Sequence, residues 1–171
     1  AGSSAFEAEV QIDLGTFALN GSLELPADPI GLVLFAHGSG SSRFSTRNRR
    51  VAAQLRAAGL GTLLFDLLTK REEHEDAYTG HLRFNVNLLA DRLHQAARWA
   101  RANPNTSRLP LGYFGASTGA AAALIAAAAE PEIVHAVVSR GGRPDLAGDA
   151  LPHVRAATLL IVGGDDAPVI P

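Results

Sequence analysis

Leu111-Gly112-Tyr113-Phe114-Gly115-Ala116-Ser117-Thr118-Gly119 is the stretch on which the fold turns. A short apolar run, Leu111 to Phe114, leads into Gly-x-Ser-x-Gly and then into an alanine-rich segment, Ser117 to Glu130, closed by Pro131. The first part reads as a strand and the last as a closely packed buried helix. A sharp strand-to-helix turn pushes its serine into a strained backbone conformation and exposes Oγ. The flanking glycines let strand and helix approach without Cβ clashes. The helix N-terminus adds free N–H groups and a positive dipole end where negative charge would develop. A bare Gly-x-Ser-x-Gly is a weak signal; in this context it marks Ser117 as a nucleophile.

The same strand–helix alternation extends outward. Gly31–Ala36, Leu63–Phe65, Ile133–Val138 and Thr158–Val162 are further solid apolar runs, as expected of parallel strands buried on both faces. Val51, Ala52, Leu55 and Ala58 recur at helical spacing, with Ser45 or Thr46 as N-cap and Gly59 as stop. Val86, Leu89, Leu93, Ala96, Ala97 and Ala100 mark a longer helix, with Arg92, Arg98 and Arg101 off its apolar stripe. Ahead of these, Glu7–Ile12 and Thr16–Leu25 alternate polar and apolar as an antiparallel pair, with Asn20-Gly21 as a candidate turn. The charged run Lys70–Asp76 reads as a solvated loop, and His135, inside an apolar run, as a core histidine. The expected class is α/β: a mostly parallel sheet with helices on both faces, an N-terminal antiparallel strand pair and no large lid.

Composition narrows the function. With 171 residues, residues 1–171 are expected to form one domain. The absence of Cys excludes a thiol nucleophile, a disulfide framework and any Cys-ligated metal. A net charge of −2 gives no footprint for nucleic acid or an anionic membrane, so neither is an expected partner. No apolar run reaches the roughly 20 residues of a membrane span. The N-terminus shows no basic-then-apolar leader; Ala1–Ser4 reads as a tag remnant or disordered lead, and a cytoplasmic location is the expectation.

Two more loops carry chemistry. His37-Gly38-Ser39-Gly40-Ser41-Ser42 follows the strand ending at Ala36 and can present a backbone N–H to an oxyanion. Ser39 N–H is the candidate donor, paired with the N–H of Thr118. His37 reads as structural rather than catalytic, because it precedes any acid; with Gly38 it stands where substrate would pass. Gly163-Gly164-Asp165-Asp166-Ala167-Pro168-Val169 follows the last strand, where the triad acid stands in the order Ser…Asp…His. Asp166 is favoured over Asp165. Arg43, Arg47, Arg49 and Arg50 read as a solvated helix start, whereas Arg140, at a strand's carboxyl end, is a substrate-binding candidate for a carboxylate or phosphate.

These segments together, LVLFAHGSGSS at 32–42, LLFDLLT at 63–69, GYFGASTGAAAAL at 112–124 and TLLIVGGDDAPV at 158–169, resemble the α/β-hydrolase superfamily. Within it the resemblance is to the small dienelactone-hydrolase-like esterases. It implies Ser117 as nucleophile, Ser39 and Thr118 as oxyanion donors and Asp166, three residues before Val169, as acid, with no cofactor and no metal. Dienelactone hydrolases proper use a Cys nucleophile; serine here makes a general small-molecule ester the expected substrate. In this superfamily the catalytic His follows the acid, yet all six histidines here precede Asp166 and the sequence stops at Pro171. A closing strand, two helices and their loops would need about 40 more residues. The expectation is that the C-terminal strand and helices are missing and that a C-terminal segment, in the same chain or a separate fragment, carries the His. His81 is the least implausible internal base. The oligomeric state is left open. The other readings are a catalytically inactive hydrolase-like scaffold or interaction module and, further behind, a nucleotide-binding domain, for which the phosphate motif is lacking.

Overall fold

A computed structural model describes residues 5–167. Ala1–Ser4 and Val169 lie outside the described residues.

Over the described residues the sheet has seven strands in the order β1-β2-β4-β3-β5-β6-β7. β1 (Phe6–Asp13) and β2 (Ala18–Leu25) form the expected antiparallel pair, and β2 pairs antiparallel with β4 (Gly61–Phe65). From β4 onward all pairings are parallel, through β3 (Leu32–Ala36), β5 (Leu111–Ala116), β6 (Val134–Arg140) and β7 (Ala157–Ile161). The order jumps back at β3–β4–β5, so the carboxyl ends of β3, β4 and β5 gather at the switch where open α/β sheets bind ligands.

Helices cover both faces. α3 (Val86–Ala102) and the alanine helix α4 (Thr118–Ala129) pack on one, where Leu34, Ala36, Phe65 and Tyr113 meet Leu93, Ala97 and Ala123. α1 (Thr46–Ala57), capped by Ser45, packs on the other against Phe35, Leu64 and Phe114. Alanine on α4 allows close approach: nine of its twelve residues are buried.

The structure corrects several expectations. Asn20-Gly21 is not a turn; β2 runs through it, and the reversal lies at Leu14–Phe17, where Leu14 N–H donates to Phe17 O. Gly21 is small because a Cβ there would press on Phe65, Val10 and Leu63. Lys70–Asp76 is not a loop but most of α2 (Lys70–Thr79). Thr69 and Glu72 form a capping box, and Lys70–Glu73 and Arg71–Glu75 pair along the helix. Arg92 is not solvated: it is buried, bound bidentately to Glu72 and donating to Leu67 O.

His135 is exposed rather than in the core. Beside α1 the faces of β3, β5 and β6 stay open as an apolar groove of about 400 Å³, lined by Val33, Val51, Leu55, Phe114, His135 and Val138. Among the described residues β7 is last in the sheet order and is exposed along its length. Among the described residues no helix is long and apolar enough to cross a membrane.

Candidate active site

Ser117 stands between β5 and α4 at φ 53°, ψ −124°, with its side chain exposed. Such a backbone state costs about 1–3 kcal/mol for a residue with a Cβ. Its neighbours impose it. A Cβ on Gly115 would come within 2.5 Å of Ala120 Cα, and one on Gly119 would overlap the Ala36 carbonyl. The strand end, the helix start and β3 therefore meet at van der Waals distance around one outward-turned hydroxyl. Ser117 O accepts from Ala120 N–H (3.1 Å) and Arg143 N–H (3.2 Å), so the elbow is also bound to the β6 loop.

The loop after β3 lies against this elbow. A Cβ on Gly38 would stand 3.1 Å from Ser117 Cβ, so only glycine lets the loop pass so close without displacing it. The Ser39 N–H, the expected oxyanion donor, here donates to Thr118 Oγ1 at 3.0 Å. The Thr118 N–H opens α4 and has no intrahelical acceptor.

His37 is buried and uses both ring nitrogens. Nε2 accepts from Leu67 N–H at 3.0 Å, so Nδ1 carries the proton and donates to Gly38 O at 2.9 Å. Burial pushes its pKa down, opposed by the Gly38 bond and by the charges of Asp66 and Glu73, so the ring is held neutral. Arg43 is not part of a solvated helix start. Its guanidinium and amide both bind the buried Asp66 at the end of β4, and it also reaches Glu9. Sequence reading assigned neither Asp66 nor this clamp; an aspartate ending an apolar strand was its one visible sign.

Asp166 is half-buried in the loop beyond β7, in a turn closed by its N–H on Gly163 O (3.1 Å); Asp165 beside it is exposed. The hydrogen bond and charge of Asp145, and then the charge of Asp166, raise the Arg143 pKa. Arg140 pairs in register with Ala116, one residue before the elbow. It donates to Asn48 Oδ1 (3.0 Å), lies over the Phe114 ring, and lines a pocket of about 290 Å³ with Arg47 and Arg50. Burial and then Arg47 lower its pKa. No carboxylate among the described residues pairs with it.

A cleft of about 490 Å³ opens between the oxyanion loop and α2, lined by His37, Gly40, Ser42, Leu67, Asp76 and Arg83 among others. His81 is exposed in the α2–α3 connection. His94 pairs with Glu130 on the helices.

An exposed serine on a strained strand-to-helix turn, facing a glycine-rich loop across the sheet switch, is the arrangement of the α/β-hydrolase fold. A dienelactone hydrolase from Anabaena variabilis is 61% identical and superposes with a TM-score of 0.93, over 96% of this chain and 76% of that one. The chain belongs to the dienelactone-hydrolase family of α/β hydrolases. A dienelactone hydrolase-like promiscuous phosphotriesterase from metagenomic libraries shares the fold at a TM-score of 0.75 and 16% identity, over 95% of this chain and 70% of that one. Proteins from two strains of Mycobacterium tuberculosis, each named for a phosphoribosyl transferase, are 56% identical over 164 residues. This chain spans 36% of their length, against 96% of its own. No protein-family model matches the chain.

Proposed function

We propose that this chain is the nucleophile-bearing part of a serine hydrolase acting on small carboxylic esters. The observation that carries the reading is Ser117 at φ 53° with its Oγ exposed, beside a loop that needs glycine to reach it. Ser117 attacks the ester carbonyl, and the N–H groups of Ser39 and Thr118 take the developing oxyanion. Asp166 orients and stabilises an imidazole that takes the Ser117 proton and passes it to the leaving alcohol. Water then releases the acyl group by the same route. In this reading the imidazole comes from beyond Pro171, in the same polypeptide or a separate fragment; His37 is not the base, being spent on Leu67 and Gly38. Arg140 receives a carboxylate or phosphate on the substrate. No metal or cofactor enters the scheme, and we place the enzyme in the cytoplasm.

In this reading phosphoribosyl transfer, the activity in the relatives' names, would belong to the part of those longer chains that this one does not match. The discriminating experiment is turnover of a p-nitrophenyl ester by the intact protein. S117A abolishes it if the reading is right; turnover that survives S117A sinks it.

A further inference from the structure

We infer that Asp76 is a positioning residue for the oxyanion loop, acting through a one-way chain of hydrogen bonds that ends on the Ser39 amide; the inference rests on the serine-hydrolase reading above. The direction of each bond follows from the atoms. Ser39 Oγ lies 2.6 Å from Arg83 O, which has no hydrogen, so the Ser39 hydroxyl proton is spent there. In its 2.8 Å contact with Thr118 Oγ1, Ser39 Oγ can then only accept, so the Thr118 hydroxyl donates. Thr118 Oγ1 in turn accepts from Ser39 N–H at 3.0 Å. Ser39 is thus gripped at both its hydroxyl and its amide, and the amide has one direction.

The anchor of this chain is the Arg83 carbonyl, and Asp76 fixes it. Asp76 is buried in the last turn of α2. Its Oδ1 accepts from Leu82 N–H (2.6 Å), its Oδ2 from Arg83 N–H (3.1 Å), and Arg83 Nη1 returns to Asp76 O (3.4 Å). The carboxylate is the hub around which the α2–α3 connection folds. The pinned segment needs such a hub: Gly38 and Gly40 flank Ser39, and Gly40 sits at φ 76°. When a carbonyl oxygen gains charge, the Ser39 amide exchanges a neutral hydroxyl for an anionic acceptor, which binds about twice as strongly. The chain keeps that amide aimed until then.

The test is steady-state hydrolysis of a neutral p-nitrophenyl ester by the intact protein carrying D76N, S39A or both. Misaiming an oxyanion donor, rather than deleting it, lowers kcat about tenfold for each single variant, with KM within about twofold. Because both act through Arg83, the double variant falls no more than about twofold below S39A alone. T118V loses a similar factor and T118S recovers it. Multiplying effects, about 100-fold in the double variant, or an unchanged kcat in D76N, overturn the inference. If D76N does not fold, D76E, which keeps the charge but moves the oxygens off the Leu82 and Arg83 amides, takes its place in the cycle with S39A and is judged the same way. A wild-type protein inert toward the ester overturns the hydrolase reading and this inference with it.

Discussion

Asp66 binds Arg43 twice: one carboxylate oxygen accepts from the Arg43 amide at 2.8 Å and the other from its guanidinium at 2.6 Å. Both side chains are largely buried, at 4% and 13% exposure. The pair ties the far end of the oxyanion loop to β4, while Gly38 ties its near end to Ser117. Removing one partner of a buried pair costs about 3–5 kcal/mol, because the other charge is left uncompensated. R43M, which leaves the Asp66 carboxylate buried without its cation, therefore destabilises the fold by about that much in urea unfolding. D66N costs less, about 1–3 kcal/mol, because Arg43 keeps Glu9 at 3.2 Å, and the double variant recovers part of the R43M loss.

The neutral state of His37 sets a pH dependence. Its folded pKa lies below the unfolded value of about 6.5 because burial disfavours the imidazolium. Below that value the unfolded chain binds a proton that the folded chain refuses. The contribution to stability is therefore intact above about pH 6.5 and lost as pH falls below it, with a slope approaching about 1.4 kcal/mol per pH unit. Urea midpoints of the wild type and H37N, followed from pH 8 to 5, converge as pH falls.

Glycines at the elbow separate from glycines in the loop. G119A puts a methyl group into the Ala36 carbonyl and G115A puts one against the Ala120 backbone. Each destabilises by about 3 kcal/mol or more, since backbone on both sides has to move. Gly164 has nothing within 4 Å of its Cβ position. Thermal unfolding of G164A stays within about 0.5 kcal/mol of the wild type.

Arg140 bears on selectivity. With Arg47 and Arg50 it lines a pocket between α1 and the carboxyl end of β6, and its hydrogen-bond partner is the neutral Asn48. A hydrogen bond between charged groups is worth about 1.5–3 kcal/mol. R140Q accordingly raises KM for an ester carrying a carboxylate at least about tenfold more than for its neutral counterpart, read from paired Michaelis–Menten curves.

The acid is decided by substitution. D166N lowers kcat about 10⁴-fold in the intact protein, as expected when an imidazole loses the partner that fixes its tautomer. D165N stays within about twofold. The reverse ranking would assign the acid to Asp165.

The fold was largely legible because its signals are local. The solid runs Leu32–Ala36 and Leu111–Phe114 announce buried parallel strands, and Gly115 and Gly119 announce the close approach at Ser117. α2 was not legible: apart from Ala77 and the exposed Tyr78 it is polar and has no apolar stripe, and its order comes from the Thr69–Glu72 box and from Arg92, twenty residues on from Glu72. The supports of the site were hidden for a related reason. Asp66 meets Arg43, and Ser39 meets Thr118 and Arg83, across separations with no periodicity. His135 was misplaced because an apolar run tells of pairing in the sheet but not of what covers each face.

The central claim is that Ser117 is an activated nucleophile. The measurement that tests it most directly is the intact mass of the protein before and after incubation with a fluorophosphonate, with peptide mapping of any adduct. A single adduct on Ser117, absent in S117A, is the predicted result. No adduct, or an adduct on another residue that persists in S117A, would contradict the account.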